Sequence, residues 1–341
     1  MSPSFSISII WAQCGLIMFA LVPLPASAEP IKLKFAFFAS DREFAYEGVV
    51  KPFVSAVNLE GKGIVEIELH PGGELGRSYA QQAQLVLSGG ADLAWVNPAL
   101  TSEQFPDNAV IELPGLFRDA KEATQVYEGI AGAGALKGYE NFFLVAAVGT
   151  EPLNIHTRAP IASLDDLKGK KIRTGNWTEA AVLKALGMEP VMMPINQAAD
   201  AINSGAIDGS TAALEVLADF GISRFATCHY LLGLGSVPLL IVMNKSKFDS
   251  LPEAAQNVIR RYSGAWLTRR YIDSIGVYDA EILEKLKSDS RRTVIYPSQQ
   301  DLAKARDVFA SVAARWVGGS ARNRMLLDRI KAERVKLQSL R

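Results

Sequence analysis

The sequence predicts an α/β fold of two lobes, with a ligand cleft between them and a long C-terminal helical region. Three observations carry this. The chain has 341 residues, more than one hydrophobic core usually serves. A β-α-β-α-β pattern fills the N-terminal part and is echoed after Pro160. From Leu251 onward helical spacing dominates, broken once near Thr293 to Pro297.

The first unit opens with Ile31 to Ala39, which alternates and then turns apolar, as a strand entering a core does. Phe44 to Val57 has helical spacing, with Pro52 as a local disturbance. Ile64 to Leu69 alternates cleanly and reads as a strand, and Gly72, Gly73 and Gly76 punctuate a loop. Ala80 to Leu87 reads as a helix stopped at Gly89-Gly90, and Asp92 to Val96 as a buried strand. In the second unit a strand around Lys171 to Arg173 precedes a helix from about Thr178 to Leu186. Asn176 can cap that helix, Glu179 sits in capping-box position, and Gly187 can close it. Pro190 to Met193 reads as a strand, and Gln197 to Asn203 as a helix ending at Gly205. Apolar strands near Leu144 to Val148 and Leu239 to Met243 suggest two crossings between the lobes. The resulting division is 29–150 plus about 239–280 for lobe I, and 151–238 plus about 281–341 for lobe II.

The first 28 residues carry no Asp, Glu, Lys or Arg. An apolar run from Trp11 to Leu24 precedes Ala26-Ser27-Ala28, which reads as a signal peptide, 1–28, cut before Glu29. Cys14 leaves with it, so Cys228 stands alone in the mature chain. Export without disulfides points to a periplasm. Lys plus Arg equals Asp plus Glu, at 36 each, so bulk charge gives no reason to expect nucleic acid or an anionic membrane as partner.

The chemistry of catalysis is sparse. The three histidines, His70, His156 and His229, form no zinc spacing, and no cofactor or metal is expected. There is no nucleophile elbow and no Walker A loop. Gly132-Ala133-Gly134 follows a helical run and reads as a helix end, not a dinucleotide loop. Arg173 differs. It sits at the carboxyl end of a strand, just before a capped helix, where α/β sheets bind ligands. Helix N-terminal N–H groups and a guanidinium fork together suit a carboxylate. The plain alternative is a surface arginine in the run Lys168, Lys170, Lys171, Arg173.

An ordered set of motifs now bears on that choice. It comprises Pro71-Gly72-Gly73-Glu74-Leu75-Gly76, Gly89-Gly90-Ala91-Asp92-Leu93-Ala94 and Leu113-Pro114-Gly115-Leu116-Phe117. It continues with Leu164 to Arg173 (LDDLKGKKIR), Leu186-Gly187 and Ala201 to Gly209 (AINSGAIDG). With these the chain resembles the solute-binding proteins of tripartite ATP-independent periplasmic (TRAP) transporters, of the dicarboxylate- and sialic-acid-binding type. The resemblance spans essentially the whole mature chain. It implies a two-lobe periplasmic binding protein fold, type II-like, that captures a small organic acid and delivers it to small and large integral-membrane transporter subunits. It places the ligand-holding arginine at Arg173.

Two departures follow. Sialic-acid binders carry a second arginine just after a "GT" pair; here Gly149-Thr150 puts Glu151 there, and a slightly shorter family interval selects Leu153 instead. Glu151 suits a ligand hydroxyl or amine, or faces water at a hinge. Where several relatives have an Asn after "DG", this chain has Ala212, which suggests a less polar ligand body. The remaining expected pocket positions are Asn176, Asn97, and an aromatic wall of Trp95, Phe38 and Trp177, each of which also has a purely structural reading. Asn244 matches a structural family position. The reading is therefore a non-enzymatic receptor for a monocarboxylate with a partly apolar or hydroxylated body. The rivals are a binding protein of an ABC or tripartite tricarboxylate transporter and, more remotely, an exported enzyme.

Overall fold

The computed structural model describes residues 29–339, and the expected signal peptide lies outside the described residues. Along the chain, β1 (Ile31–Ala36), α1 (Lys51–Glu60), β2 (Val65–His70), α2 (Gln82–Leu87), β3 (Leu93–Val96), α3 (Ala120–Gly132) and β4 (Phe142–Gly149) come first. Then follow β5 (Asn154–Thr157), β6 (Lys171–Thr174), α4 (Trp177–Ala185), β7 (Glu189–Met192), α5 (Ala198–Ser204), β8 (Gly209–Ala212), α6 (Leu214–Asp219) and β9 (Cys228–Tyr230). The chain returns through β10 (Pro238–Asn244), α7 (Lys245–Asp249), α8 (Glu253–Tyr262) and α9 (Ala265–Ser288). It ends with β11 (Thr293–Ile295), α10 (Gln299–Gly318) and α11 (Ala321–Ser339).

Two sheets form the two lobes. The first has the order β2-β1-β3-β10-β4 and the second β11-β9-β5-β8-β6-β7. β1, β2 and β3 are parallel, as the repeated β-α-β pattern requires. β10, arriving from the other lobe, inserts antiparallel between β3 and β4, so the sheet is mixed. In β1 the alternation works as read: Leu33 and Phe35 are fully buried while Lys32 and Lys34 face water. Pro52 is the second residue of α1, directly after the π-helical turn Tyr46–Val50 that leads into it, so the disturbance falls where the helical hydrogen bonding changes register. The break near Thr293 is a strand, β11, which extends the second sheet parallel to β9.

Two crossings join the lobes and hydrogen-bond to each other. Thr150 N–H donates to Val237 O at 3.1 Å, Leu153 N–H to Gly235 O at 3.0 Å, and Leu234 N–H to Leu153 O at 2.7 Å. α9 serves both lobes. Its Leu267, Tyr271 and Ile275 belong to the first lobe's core, and Ile282 and Leu286 to a core cluster of the second. α10 lays Ala305, Phe309 and Val312 against the second sheet's core. α11 differs from the sequence division, which gave 281–341 to lobe II. It packs on α3, and its Leu326 and Ile330 are buried with Val126, Tyr127 and Ile130. The turn at Gly319 sends the chain back across the molecule, and Arg322 pairs there with the buried Asp107. Among the described residues no helix is long and apolar enough to cross a membrane.

Candidate functional site

The carboxyl end of β6 and the N-terminus of α4 are built as one polar knot. β6 pairs parallel with β7 and β8, so Arg173 lies opposite Val191 and Ser210. Gly209 must be glycine here: a Cβ on it would stand 2.3 Å from the His156 carbonyl oxygen. Asn176 caps α4 by accepting from the Glu179 N–H at 2.8 Å. Glu179 does not reach back to the cap's own N–H as a capping box would. Its carboxylate instead accepts from the Gly175 N–H at 3.2 Å and from Thr174 Oγ1 at 2.8 Å. Asn176 Nδ2 and the Thr211 hydroxyl also donate to it. Four donors thus fix the Glu179 carboxylate in place beside Arg173, where its charge favours the charged form of the guanidinium.

Arg173 is only 7% exposed. Its Nε donates to Met193 O at 2.9 Å and Nη1 reaches Thr211 O at 3.5 Å. Nη2 has no hydrogen-bond partner, and among the described residues no carboxylate forms an ion pair with Arg173. Burial lowers its pKa from the ordinary guanidinium value, and Glu179 opposes that shift. The side chain is thus tethered on one edge and offers the other to a cavity of about 600 Å3.

The cavity lies between the lobes. The first lobe contributes Phe38, Glu43, Phe44, Tyr79, Trp95 and Asn97, and the second Arg173, Asn176, Met193, Ala212, Asp219 and Phe220. Phe38 stacks on Tyr79 with centroids 3.8 Å apart and faces Phe220 across the cleft at 6.3 Å. Asn97 lines the cavity, although its side-chain oxygen is spent on the Ala99 N–H. Asn176 has likewise committed its oxygen to the cap.

Two expected positions fall elsewhere. Trp177 is the first residue of α4, 43% exposed and outside the cavity lining, because the helix buries its other face through Thr178, Val182 and Leu183. Glu151 is also absent from the lining. It sits at the start of α3, where burial raises its pKa and the Ala120 N–H lowers it. Its neighbours Thr150 and Leu153, the latter the position that the shorter interval selects, line the cavity instead. Sequence reasoning missed Glu43, Tyr79, Asp219 and Tyr271. Glu43 follows Asp41 and Arg42 and reads as part of a solvated loop, yet it is 8% exposed.

Two lobes around a cleft lined by apolar residues and a tethered arginine have the geometry of a solute receptor. Residues 35–318 match the family described as bacterial extracellular solute-binding protein, family 7. The chain belongs to that family, whose relatives include TRAP solute-binding proteins. It is 26% identical to the 2,3-diketo-L-gulonate-binding periplasmic protein YiaO of Escherichia coli K12, over 72% of this chain and 74% of that one. It is 24% identical to the C4-dicarboxylate-binding periplasmic protein DctP of Rhodobacter capsulatus, over 67% and 69%. Its fold matches the crystal structure of a marine metagenome TRAP solute-binding protein specific for aromatic acids, complexed with 3-hydroxybenzoate. That match has a TM-score of 0.83 and 24% identity, covering 91% of this chain and 99% of that chain. The family and fold are those of transport receptors.

Proposed function

We propose that this protein captures a small organic acid in the periplasm and delivers it to the membrane subunits of a TRAP transporter, with Arg173 holding the ligand carboxylate. The observation that carries the reading is the guanidinium itself: buried, anchored through Nε, countercharged by Glu179, and unpaired at Nη2 in the cleft. A charge-assisted pair gains strength where burial lowers the local dielectric, and Arg173 is buried. The names of the relatives support an organic acid, and the lining of Phe38, Trp95, Leu153 and Ala212 supports a partly apolar body.

Lobe I then comprises 29–150, about 239–280 and α11, and lobe II comprises 151–238, β11 and most of α10. The hydrogen-bonded crossings at 150–153 and 234–237 act as the hinge, and ligand contacts in both lobes favour the closed state. The cleft binds and does not catalyse. The test is a thermal-shift screen of organic acids followed by calorimetry. A true ligand at about 100 times its Kd adds about 2.7 kcal/mol of stability. If no carboxylate raises the melting temperature, the reading fails.

A further inference from the structure

The cleft has a second polar pole. Glu43 lines it from the first lobe, and Asp219 lines it from the end of α6. Glu43 is 8% exposed, yet no described group donates a hydrogen bond to its carboxyl and no cation pairs with it. Its oxygens are not among the atoms sealed inside the protein, so the carboxyl opens onto the cavity. Asp219 accepts weakly, at 3.3 Å each, from the Phe44 N–H and the Tyr278 hydroxyl. Glu215 also lines the cavity, but it faces Asp279 on α9, to which it can donate when protonated.

Phe38, Phe44, Tyr79 and Phe220 line the same part of the cavity, Phe38 stacked on Tyr79 and Phe44 on Tyr278. Arg77 of the lining and the adjacent Arg42 are both exposed, and neither contributes to the electrostatics of Glu43. Two carboxyls set in a largely apolar, aromatic lining are complementary to an organic cation, through charge and through its apolar body. A metal ion fits less well: among the described residues no group of three or more His, Cys, Asp or Glu is placed to hold one.

Resting on the reading of Arg173 as the carboxylate anchor, we propose that the natural ligand is an amino-substituted carboxylic acid, its carboxylate on Arg173 and its cationic nitrogen between Glu43 and Asp219. The cation replaces the proton that burial and the Asp219 charge otherwise hold on Glu43, whose pKa is pushed up to about 8. Tyr79, Asp219 and Arg77 are the other titratable groups of the lining at that point, and Tyr278, Glu215 and Asp279 stand behind Asp219. Binding of the cation therefore releases a proton, and affinity rises with pH up to about 8.

The experiment uses calorimetry on the purified protein with matched probes that differ only in the second pole. These are 3-(aminomethyl)benzoate against 3-(hydroxymethyl)benzoate, and short ω-amino acids against the corresponding ω-hydroxy acids. In at least one pair the amino member is expected to bind roughly tenfold tighter or more. The isosteric Glu43→Gln change should erase that preference and leave the hydroxy member within about threefold. Equal or weaker binding of every amino member, or an equal loss of both members on Glu43→Gln, overturns the inference. Arg173→Ala should weaken both members of a pair alike. If it weakens neither, the carboxylate anchor itself is wrong, whatever Glu43 does, and if no acid binds at all both readings fall.

Discussion

At the scale of the residue, the site depends on how one guanidinium is spent. Nε and Nη1 brace Met193 O and Thr211 O, which leaves Nη2 and part of Nη1 for a ligand. If Arg173 holds the carboxylate as proposed, Arg173→Ala removes that partner and both braces, and affinity for the ligand should fall roughly tenfold or more, since a charged hydrogen bond contributes about 1.5–3 kcal/mol. Arg173→Lys keeps the charge but has no planar fork, so its loss should be of the same order. Unchanged calorimetric affinity in both variants would remove Arg173 from the site. The place of Arg173, at a strand end before a capped helix and on the cleft, was legible in sequence because it is a local property. Glu43 was not. Its burial arises only when α6 of the other lobe and the turn before α2 close over it, contacts that a linear pattern does not contain. Trp177 failed for the converse reason: an aromatic beside a binding residue in sequence can lie on the opposite face of a helix.

At the scale of the element, α4 and its cap hold the site in register. Asn176 Oδ1 supplies the cap and its Nδ2 donates to Glu179, so one side chain serves both the helix and the countercharge of Arg173. Asn176→Ala should cost about 1 kcal/mol of stability, within roughly 0.5–2 kcal/mol, measured by urea denaturation. Affinity should fall less than for Arg173→Ala, because Thr174, Gly175 and Thr211 still hold Glu179. A larger effect on binding than on stability would show that Asn176 touches the ligand. The elements themselves were largely legible. Periodicity located β1, β2, β3 and α4 within a few residues, and glycine placed the end of α5, where Gly205 takes φ +75. Sheet order was less so. β10 lies between β3 and β4 because the chain re-enters the first lobe, and strand pairing over about 150 residues leaves no trace in local spacing.

At the scale of the molecule, the buried acids of the cleft and of the lobe junction set a pH dependence. Burial pushes both Glu43 and Glu112 up to about 8, with Asp219 and Glu179 respectively adding repulsion. In the unfolded chain such groups titrate near their ordinary value of 4.5. The folded state therefore binds more protons, so the stability these groups contribute is fully present below 4.5 and is lost as pH rises toward 8. His156 and His229 act in the opposite sense. Burial lowers them to about 3 and about 4, with His229 adding to the shift of His156 and Arg292 to that of His229, so they oppose stability as pH falls below 6.5. Above 6.5 both are neutral in either state, and only the carboxyls discriminate. The ligand-free protein should then lose on the order of 2 kcal/mol between pH 6.5 and pH 8, because each differential proton is worth about 1.4 kcal/mol per pH unit. Urea denaturation across that range tests this, and the Glu43→Gln, Glu112→Gln double variant should reduce the slope, leaving the share of Asp279, raised to about 7, and of Glu215. A wild-type slope of zero would mean that these acids are already ionised in the folded protein. A cationic ligand pole should reduce the slope in the same way, since it neutralises Glu43 without a proton. The same titration with and without an amino-acid probe therefore connects the stability of the molecule to the chemistry of its cleft.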